Sequence, residues 1–509
     1  MNKRDRRLIM TAMLIATFMA AIEGTIVNTA TPVIVGELGG MELMSWVVSI
    51  YLLTTAIGTP ISGKIADLYG RKPVFLLGTG LFLLGSILSG IAQTMEQLIA
   101  FRALQGLGAG AILPVTMTIV GDIYPVEERA KAQGWISGIW GISALISPLT
   151  GGLVVDYVSW RWIFYINVPF GAVSALLLAF VLREAPARQR KPIGYGAMAA
   201  FAAGMTCLLY ALMNTDPHAG GGGNAASPVF FLAALGFLAV FFGLERKAAE
   251  PLLPASLFRL RMIGVPNASD FVYSAVLVAI NFYIPLWVQG IYGGGAVASG
   301  LILIPVSIFW PIGANLAGRL QMKFGMRAAS LTGLGITIAA CVLMAVPDIR
   351  MFPWLLAGCL ALIGLGFGVT FTVHTVSVQS AVDWNMRGSA IASNNFIRLM
   401  GQTIGVAFFG ALLNAIVSRR IAAGGLSGEL TAADVNLVLG PESGHAGLSA
   451  AALNGLREAL ASGLHVIFVA MVVLAVISFL VTLRLPKGGP GTGAAAAGGT
   501  AASADSAGR

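Results

Sequence analysis

Long apolar stretches separated by short polar segments make up most of this chain of 509 residues. A helix needs about 20 apolar residues to cross a bilayer core of about 30 Å, and fourteen stretches of that kind are bounded by charges, prolines or glycine clusters. Their approximate limits are 8–31, 43–62, 74–93, 97–120, 131–155, 162–183, 193–213, 228–243, 262–289, 298–318, 326–346, 353–375, 388–417 and 461–484. No stretch of this length alternates with the two-residue period of a strand, so the pattern predicts an all-α polytopic membrane protein.

Composition supports a membrane protein and excludes several classes of function. Apolar residues are 57% of the chain and charged residues 10%, far from the composition of a soluble or a disordered chain. Three widely spaced cysteines and four histidines, His374 among them, form no metal-binding pattern, and we interpret the histidines as structural or surface groups. No phosphate-cradling glycine–lysine loop and no nucleophile–base group is visible, so we expect no enzyme, no metal and no cofactor.

The basic residues indicate the orientation of the chain in the membrane. With the N-terminus in the cytoplasm, 24 of the 31 lysines and arginines fall on the cytoplasmic side and five outside. Both termini are then cytoplasmic, which requires an even number of spans. The net charge of +9 therefore indicates orientation, and we expect no nucleic-acid partner.

Two loops indicate an internal repeat. The segment from Gly63 to Arg71 follows the second predicted span, and a similar segment from Gly318 to Gly325 follows the tenth, 255 residues later. If spans 1–6 repeat as spans 9–14, the chain has the two-bundle plan of a transporter with substrate between the halves. The alternative is that any inward-facing loop collects glycine and basic residues. The predicted segments are 1–190 for the first six-helix bundle, 191–250 for two inserted helices and their loops, 251–485 for the second bundle with an outer loop at about 418–460, and 486–509 for a disordered tail.

Two acids and two arginines lie inside apolar spans, where charge is costly and usually functional. Glu23 lies about 22 Å beyond Leu8 along its helix and Arg102 about 8 Å inside Gln97, which gives both about the same depth below the outer face. We therefore predict a Glu23–Arg102 pair that couples proton binding to transport, with Gln105 and Asn28 as nearby polar groups. The alternative is a structural ion pair that only holds helices together.

Asp270 and Arg398 allow a second pair in the other half. Asp270 lies about 12 Å inside Met262 and Arg398 about 15 Å inside Gly388. We predict that this pair also contributes to proton coupling. The alternative is that Asp270 is solvated near the cytoplasmic end of its span.

Several local motifs resemble those of a known protein family. The segments that carry the resemblance are 22–28 (IEGTIVN), 63–72 (GKIADLYGRK), 102–110 (RALQGLGAG), 148–152 (PLTGG) and 160–169 (WRWIFYINVP). Together they resemble the fourteen-helix drug:proton antiporters of the major facilitator superfamily. The resemblance implies two six-helix bundles plus two inserted helices, with a proton gradient as the energy source.

The resemblance also assigns roles to two motifs. It implies a cytoplasmic gate in the loop after the second span, formed by Gly63, Asp67, Gly70 and Arg71, and we expect Asp122 at the inner end of the fourth span to join it. It implies an antiporter motif that shapes the contact between bundles on the fifth span, formed by Gly141, Pro148, Gly151 and Gly152.

Aromatic and polar residues inside the spans are candidates for the substrate cavity, because adaptable apolar walls accept many shapes. They are Asn28, Trp46, Tyr51, Gln105, Trp140, Phe271, Tyr283 and Trp287. We therefore expect a proton-coupled exporter of hydrophobic or cationic drugs in the bacterial cytoplasmic membrane, with a small-molecule substrate and the lipid bilayer as its partners. Export of one endogenous metabolite is the alternative, and a membrane-embedded enzyme or channel a distant one. The sequence leaves the oligomeric state open, with a monomer favoured.

Overall fold

The computed structural model describes residues 2–124, 126–182, 194–213, 226–248, 255–346, 352–382, 387–423 and 450–486. Within these ranges the chain is nearly all helical and has no strand. The predicted tail beyond Pro486 and most of the predicted outer loop lie outside the described residues.

The helices follow the predicted spans closely. They are α1 (Lys3–Leu38), α2 (Met44–Tyr69), α3 (Arg71–Ile91), α4 (Met95–Ile123), α5 (Val126–Tyr157), α6 (Trp162–Tyr165), α7 (Asn167–Val181), α8 (Tyr195–Met213), α9 (Ala226–Lys247), α10 (Ala255–Arg259), α11 (Arg261–Gly290), α12 (Ala296–Ala345), α13 (Pro353–Ser380), α14 (Arg387–Ala423) and α15 (Ala450–Thr482). In the described ranges, 11 helices are long and apolar enough to cross a membrane. The prediction of an all-α polytopic membrane protein is confirmed. Apart from a few terminal residues, the predicted spans coincide with these helices; 298–318 and 326–346 share α12, and 162–183 is divided between α6 and α7.

Two glycines at corresponding positions of the predicted repeat have nearly the same backbone conformation. Gly70 lies between α2 and α3 with φ 98° and ψ 156°, and Gly325 interrupts α12 with φ 81° and ψ 165°. A positive φ is unfavourable for residues with a Cβ, so glycine is the residue that allows both turns. The break at Gly325 separates the two spans predicted on α12. The repeated loops therefore agree in backbone geometry as well as in sequence.

The chain forms two compact units, each assembled from several segments. Unit 1 comprises residues 1–249, 281–301 and 406–464, and unit 2 comprises residues 250–280, 302–405 and 465–509. The predicted segment boundaries near 190 and 250 are defined along the sequence and stay a prediction.

Small residues on α4 bring the helices of unit 1 close together. A Cβ on Gly106 would collide with Thr54 on α2, and a Cβ on Gly108 would collide with the backbone of Phe82 on α3. Because both positions are glycine, α4 packs directly against α2 and α3. This close approach sets the position of Arg102, which lies one turn before Gly106 on α4.

Candidate functional site

A buried ion pair lies among the helices of unit 1. Glu23 on α1 is fully buried, and its Oε1 accepts from Nη1 of Arg102 on α4. The Arg102 side chain is 2% exposed, and its Nε also donates to the backbone carbonyl of Val47 at 3.3 Å. The guanidinium carbon lies 4.1 Å from the centre of the Tyr51 ring. The predicted Glu23–Arg102 pair therefore forms, with Tyr51 stacked on its cation.

Amide and hydroxyl groups complete this Glu23 site. Asn167 on α7 donates from Nδ2 to Oε2 of Glu23 at 2.6 Å. Arg102 Nη1 donates to Oε1 of Gln105 at 2.6 Å, and Gln105 Nε2 donates in turn to Oγ of Ser86 at 2.7 Å. The sequence predicted Gln105 here but not Asn167 or Ser86. Four helices, α1, α3, α4 and α7, thus contribute to one connected network around a single acid.

A second buried acid lies in unit 2. Asp270 on α11 is fully buried, and its Oδ2 lies 2.8 Å from Nη2 of Arg398 on α14. The same Nη2 also donates to the backbone carbonyl of Phe371 and to Oγ1 of Thr375, both at 3.0 Å. The Arg398 side chain is 19% exposed. The structure therefore brings the second predicted pair together, and it rules out the alternative of a solvated Asp270.

A histidine that the sequence did not connect with this site contacts the acid directly. His374 on α13 is fully buried, and its Nδ1 lies 2.6 Å from Oδ1 of Asp270. The expectation that His374 belongs to no constellation is therefore wrong. Asn394 on α14 donates from Nδ2 to Oδ2 of Asp270 and to Oδ1 of Asn267, each at 2.9 Å. The Asp270 site thus combines a carboxylate, a guanidinium, an imidazole and two amides.

The structure locates the residues of the predicted cytoplasmic gate, except for one side chain. Gly63 lies near the end of α2, Gly70 follows that helix, and Nε of Arg71 lies 3.2 Å from Oδ2 of Asp122 near the end of α4. The side chain of Asp67 lies outside the described residues. The ion pair joins the start of α3 to the end of α4, and its role in gating stays a prediction.

The predicted antiporter motif lies on α5, and two of its glycines are sites of close contact. A Cβ on Gly151 would lie 2.5 Å from Oγ1 of Thr29 on α1, and one on Gly152 would lie 2.6 Å from the carbonyl oxygen of Ala296. Gly141 has open space where its Cβ would be, and the ring of Pro148 lies outside the described residues. α5 therefore packs closely on α1 and on the first residues of α12.

One turn after Gly152, an acid that the sequence did not single out caps the start of α12. Asp156 accepts through Oδ1 from the amide of Ala296 at 2.9 Å and through Oδ2 from the amide of Val297 at 2.8 Å. The first amides of a helix have no partner within the helix, and a carboxylate satisfies them well. This contact joins α5 to α12 within unit 1.

The predicted substrate residues are distributed over several places. Tyr51 and Gln105 lie at Arg102, whereas Tyr283 directs its hydroxyl to Oγ of Ser45 at 3.3 Å. The other candidates range from buried to exposed: Asn28 and Trp287 are buried, Trp46 and Phe271 are half-buried, and Trp140 is 42% exposed. Their role in binding a substrate stays a prediction.

The two acid sites suit proton transfer better than metal chemistry. Among the described residues no group of three or more histidine, cysteine or acidic side chains is arranged to hold a metal ion. Each site instead presents one carboxylate to a permanent cation and to neutral amides. A carboxylate in this setting can accept a proton and release its arginine.

Comparisons with known proteins identify the family of this chain. A sequence model of the Major Facilitator Superfamily matches residues 13–406. Multidrug resistance protein 3 of Bacillus subtilis (strain 168) is 32% identical over 495 residues, which cover 96% of this chain and 96% of that protein. Multidrug transporter protein MdtP of the same organism is 35% identical over 417 residues, which cover 81% of this chain and 76% of that protein.

A solved structure shows the same fold at low sequence identity. It is the crystal structure of a bacterial homologue of the human lysosomal transporter Spinster, in an inward-facing and unoccupied conformation. The two chains are 18% identical, the TM-score is 0.67, and the match covers 95% of this chain and 98% of the other. The likeness is one of fold alone.

Proposed function

The chain belongs to the Major Facilitator Superfamily, and on that premise we propose that it is a proton-coupled exporter of hydrophobic or cationic drugs. As a member of this superfamily it is a multi-pass membrane transporter of small molecules and not an enzyme. The proposal adds that it works by alternating access in the bacterial cytoplasmic membrane, with both termini in the cytoplasm and the proton gradient as its energy source.

The observation that carries this proposal is a fully buried carboxylate paired with an arginine in each unit. A charge inside a membrane protein is costly and is retained where an ion or proton pathway needs it. Protonation of Glu23 or Asp270 would remove the negative partner of Arg102 or Arg398 and leave that cation to find other acceptors. Proton binding would then change the contacts between helices, which is what coupling to transport requires.

The proposed substrate class has separate support. The two relatives described above are named for multidrug resistance and multidrug transport. In this chain the ring of Tyr51 lies beside the buried charges of the Glu23 site, and a carboxylate next to an aromatic surface favours an amphiphilic cation. We therefore place drug binding near the Glu23 site.

Alternating access is supported by the contacts of α5 within unit 1. Gly152 lets α5 lie directly on the first turn of α12, and Asp156 closes the contact with two hydrogen bonds to backbone amides. A contact made of small residues and one carboxylate can separate without leaving bulky apolar groups behind. We propose that it opens and closes during the transport cycle.

The test is transport by the purified full-length chain in proteoliposomes under an imposed pH gradient. A lipophilic cation such as ethidium is expected to accumulate against its gradient, and the added drug is expected to drive proton counterflow. Glu23→Gln is expected to lower both about a hundredfold. Glu37→Gln, at an exposed acid on the same helix, is the matched control. Proton-coupled transport of a single metabolite with no response to drugs would favour the endogenous-metabolite exporter instead. Uphill transport without any ion gradient would contradict the proposal.

A further inference from the structure

A cavity of about 650 Å³ lies at the ends of three helical segments of unit 2 and is lined by three arginines. Arg261 is the first residue of α11, Arg327 follows the break at Gly325 in α12, and Arg484 follows the end of α15. We infer that this cavity binds the phosphate-bearing headgroup of an anionic membrane lipid.

The charges in the cavity are uncompensated within the described part of the chain. No carboxylate there lies within 4.0 Å of the guanidinium groups of Arg261, Arg327 or Arg484. Three like charges at one cavity repel one another unless an anion lies between them. The planar, multiply donating guanidinium group suits the oxygens of a phosphate.

The other half of the predicted repeat shows a different arrangement at the corresponding positions. The residues 255 positions before Arg261 and Arg327 are Arg6 and Lys72. Arg6 forms an ion pair with Glu128 at 2.9 Å, and Lys72 donates to a backbone carbonyl just after α7 at 2.9 Å. These two cations of the first half thus have partners in the chain itself. Among the described residues, cations without such partners at the corresponding positions are therefore particular to unit 2 and do not follow from the repeated loop.

The apolar part of the lining favours a lipid over a soluble anion. Val265, Leu483 and Leu485 line the cavity beside the arginines. Leu485 is 1% exposed and belongs to a buried cluster with Met326 and Val369, so the segment that follows α15 is anchored to the rest of unit 2. A cavity lined by both cations and aliphatic side chains matches a molecule with a charged head and an apolar tail.

The cavity lies at a position along the helices where a lipid headgroup would bind. Its arginines lie at the ends of membrane-crossing segments and belong to the set predicted on the cytoplasmic side, where anionic lipids attract basic side chains. Asp270 lies nine residues after Arg261, about 14 Å farther along α11. The cavity is thus distinct from the proposed proton site, and the inference does not depend on the proposed function.

The test is native mass spectrometry of the purified full-length chain titrated with three probes: phosphatidylglycerol, phosphatidylcholine and inorganic phosphate. We expect one tightly retained phosphatidylglycerol per chain, bound at least about fivefold more tightly than phosphatidylcholine. Arg327→Gln and Arg484→Gln should each weaken its binding about fivefold. Lys323→Gln removes a charge from the same loop without touching the cavity lining and should change binding by less than about twofold.

Three outcomes would overturn the inference. One is equal phosphatidylglycerol binding by the wild type and by a variant lacking all three arginines. Another is equal loss in Lys323→Gln, which would indicate attraction by the whole surface. Displacement of the lipid by about 1 mM inorganic phosphate would assign the cavity to a soluble anion instead. If Arg327→Gln does not fold, two other variants replace it in the test. Arg327→Lys keeps the charge at that position, and Arg484→Gln changes a residue beyond the last helix.

Discussion

The Glu23 site and the Asp270 site each pair a buried acid with an arginine, but they differ in how fully their polar groups are used. In the Glu23 site, one carboxylate oxygen accepts from Arg102 and the other from Asn167. Gln105 and Ser86 extend these contacts into a connected network. Every side chain of this network has a partner, and the acid is held from both sides.

The Asp270 site contains more kinds of ionisable group and, among the described residues, more buried polar atoms without a hydrogen-bond partner. Arg398 is partly exposed, and the carboxylate also contacts the imidazole of His374. Within the described part of the chain, three buried atoms of this site have no hydrogen-bond partner: Nε2 of His374, Oδ1 of Asn394 and Nδ2 of Asn267. Buried polar atoms are normally paired, so each exception calls for an explanation.

The difference suggests two ways of responding to a proton. In the Glu23 site the carboxylate is the group that can take it up, so protonation must weaken the bond to Arg102. In the Asp270 site the imidazole of His374 is a second group, beside the carboxylate, that can take up a proton. We therefore expect protonation at the Glu23 site to switch transport on or off by breaking the Glu23–Arg102 pair. We expect protonation at the Asp270 site to adjust the transport rate in smaller steps.

The largest expected effect concerns the stability that each arginine confers. Arg102→Ala leaves a buried carboxylate without its cation and should cost about 3–5 kcal/mol of unfolding free energy. Arg398→Ala should cost less than half of that, because Arg398 is 19% exposed and Asp270 keeps His374 and Asn394. Equilibrium unfolding in mixed detergent micelles measures both. Equal losses would mean that the two sites are held together in the same way.

The second largest effect is expected on transport, which should depend more on Glu23 than on Asp270. Glu23→Gln is expected to lower proton-driven transport about a hundredfold, the equivalent of about 2.7 kcal/mol of coupling. Asp270→Asn should lower it less, because His374 still offers a base at the same place. Initial rates in proteoliposomes with and without a pH gradient give the comparison. A greater loss in Asp270→Asn would instead indicate Asp270 as the main proton carrier.

A smaller effect is expected from the amides that bind the carboxylates. A hydrogen bond to a charged group contributes about 1.5–3 kcal/mol, and Asn167→Ala should lose an amount in this range. Asn394→Ala should lose less, because the same oxygen of Asp270 keeps its bond to Arg398. The two variants can be compared by the unfolding assay used for the arginines. If Asn394→Ala proves the more harmful, the Asp270 site is less redundant than its contacts indicate.

The smallest expected effect comes from the imidazole itself. His374→Gln should change the transport rate about threefold at most, but it should flatten the dependence of the rate on pH, because it removes one of the two groups of this site that can take up a proton. His465→Gln is the control, since that ring contacts the carbonyl of Ala345 at 2.7 Å and, among the described residues, no acid. An unchanged pH profile in His374→Gln would leave the imidazole with a purely structural role.

The sequence predicted the helices and both acid–arginine pairs for a physical reason. Spans of membrane-crossing length place each residue at a known depth, and charges are so rare in them that two at equal depth are strong candidates for a pair. This reasoning reached Glu23 with Arg102 and Asp270 with Arg398. It also marked Gly325 as the equivalent of a loop glycine, and the backbone bends there.

The remaining partners could not be predicted in this way. His374 is 104 residues from Asp270, and Asn167 is 144 residues from Glu23. Helical periodicity indicates which residues share a helix face, but it does not indicate which helices pack against each other. Amides and hydroxyls are also common enough in membrane helices to carry no signal of their own. Asp156 was missed because an acid at a helix end is expected in water, whereas here it caps another helix.

The cap that Asp156 makes on α12 provides a natural reporter of motion. Its carboxylate engages the amides of two adjacent residues, Ala296 and Val297, which have no other acceptor at the start of a helix. Any step of the cycle that draws α5 away from α12 exposes both amides at once. Deuterium uptake at these two positions, followed with and without drug, would therefore time that separation in the unlabelled wild-type protein.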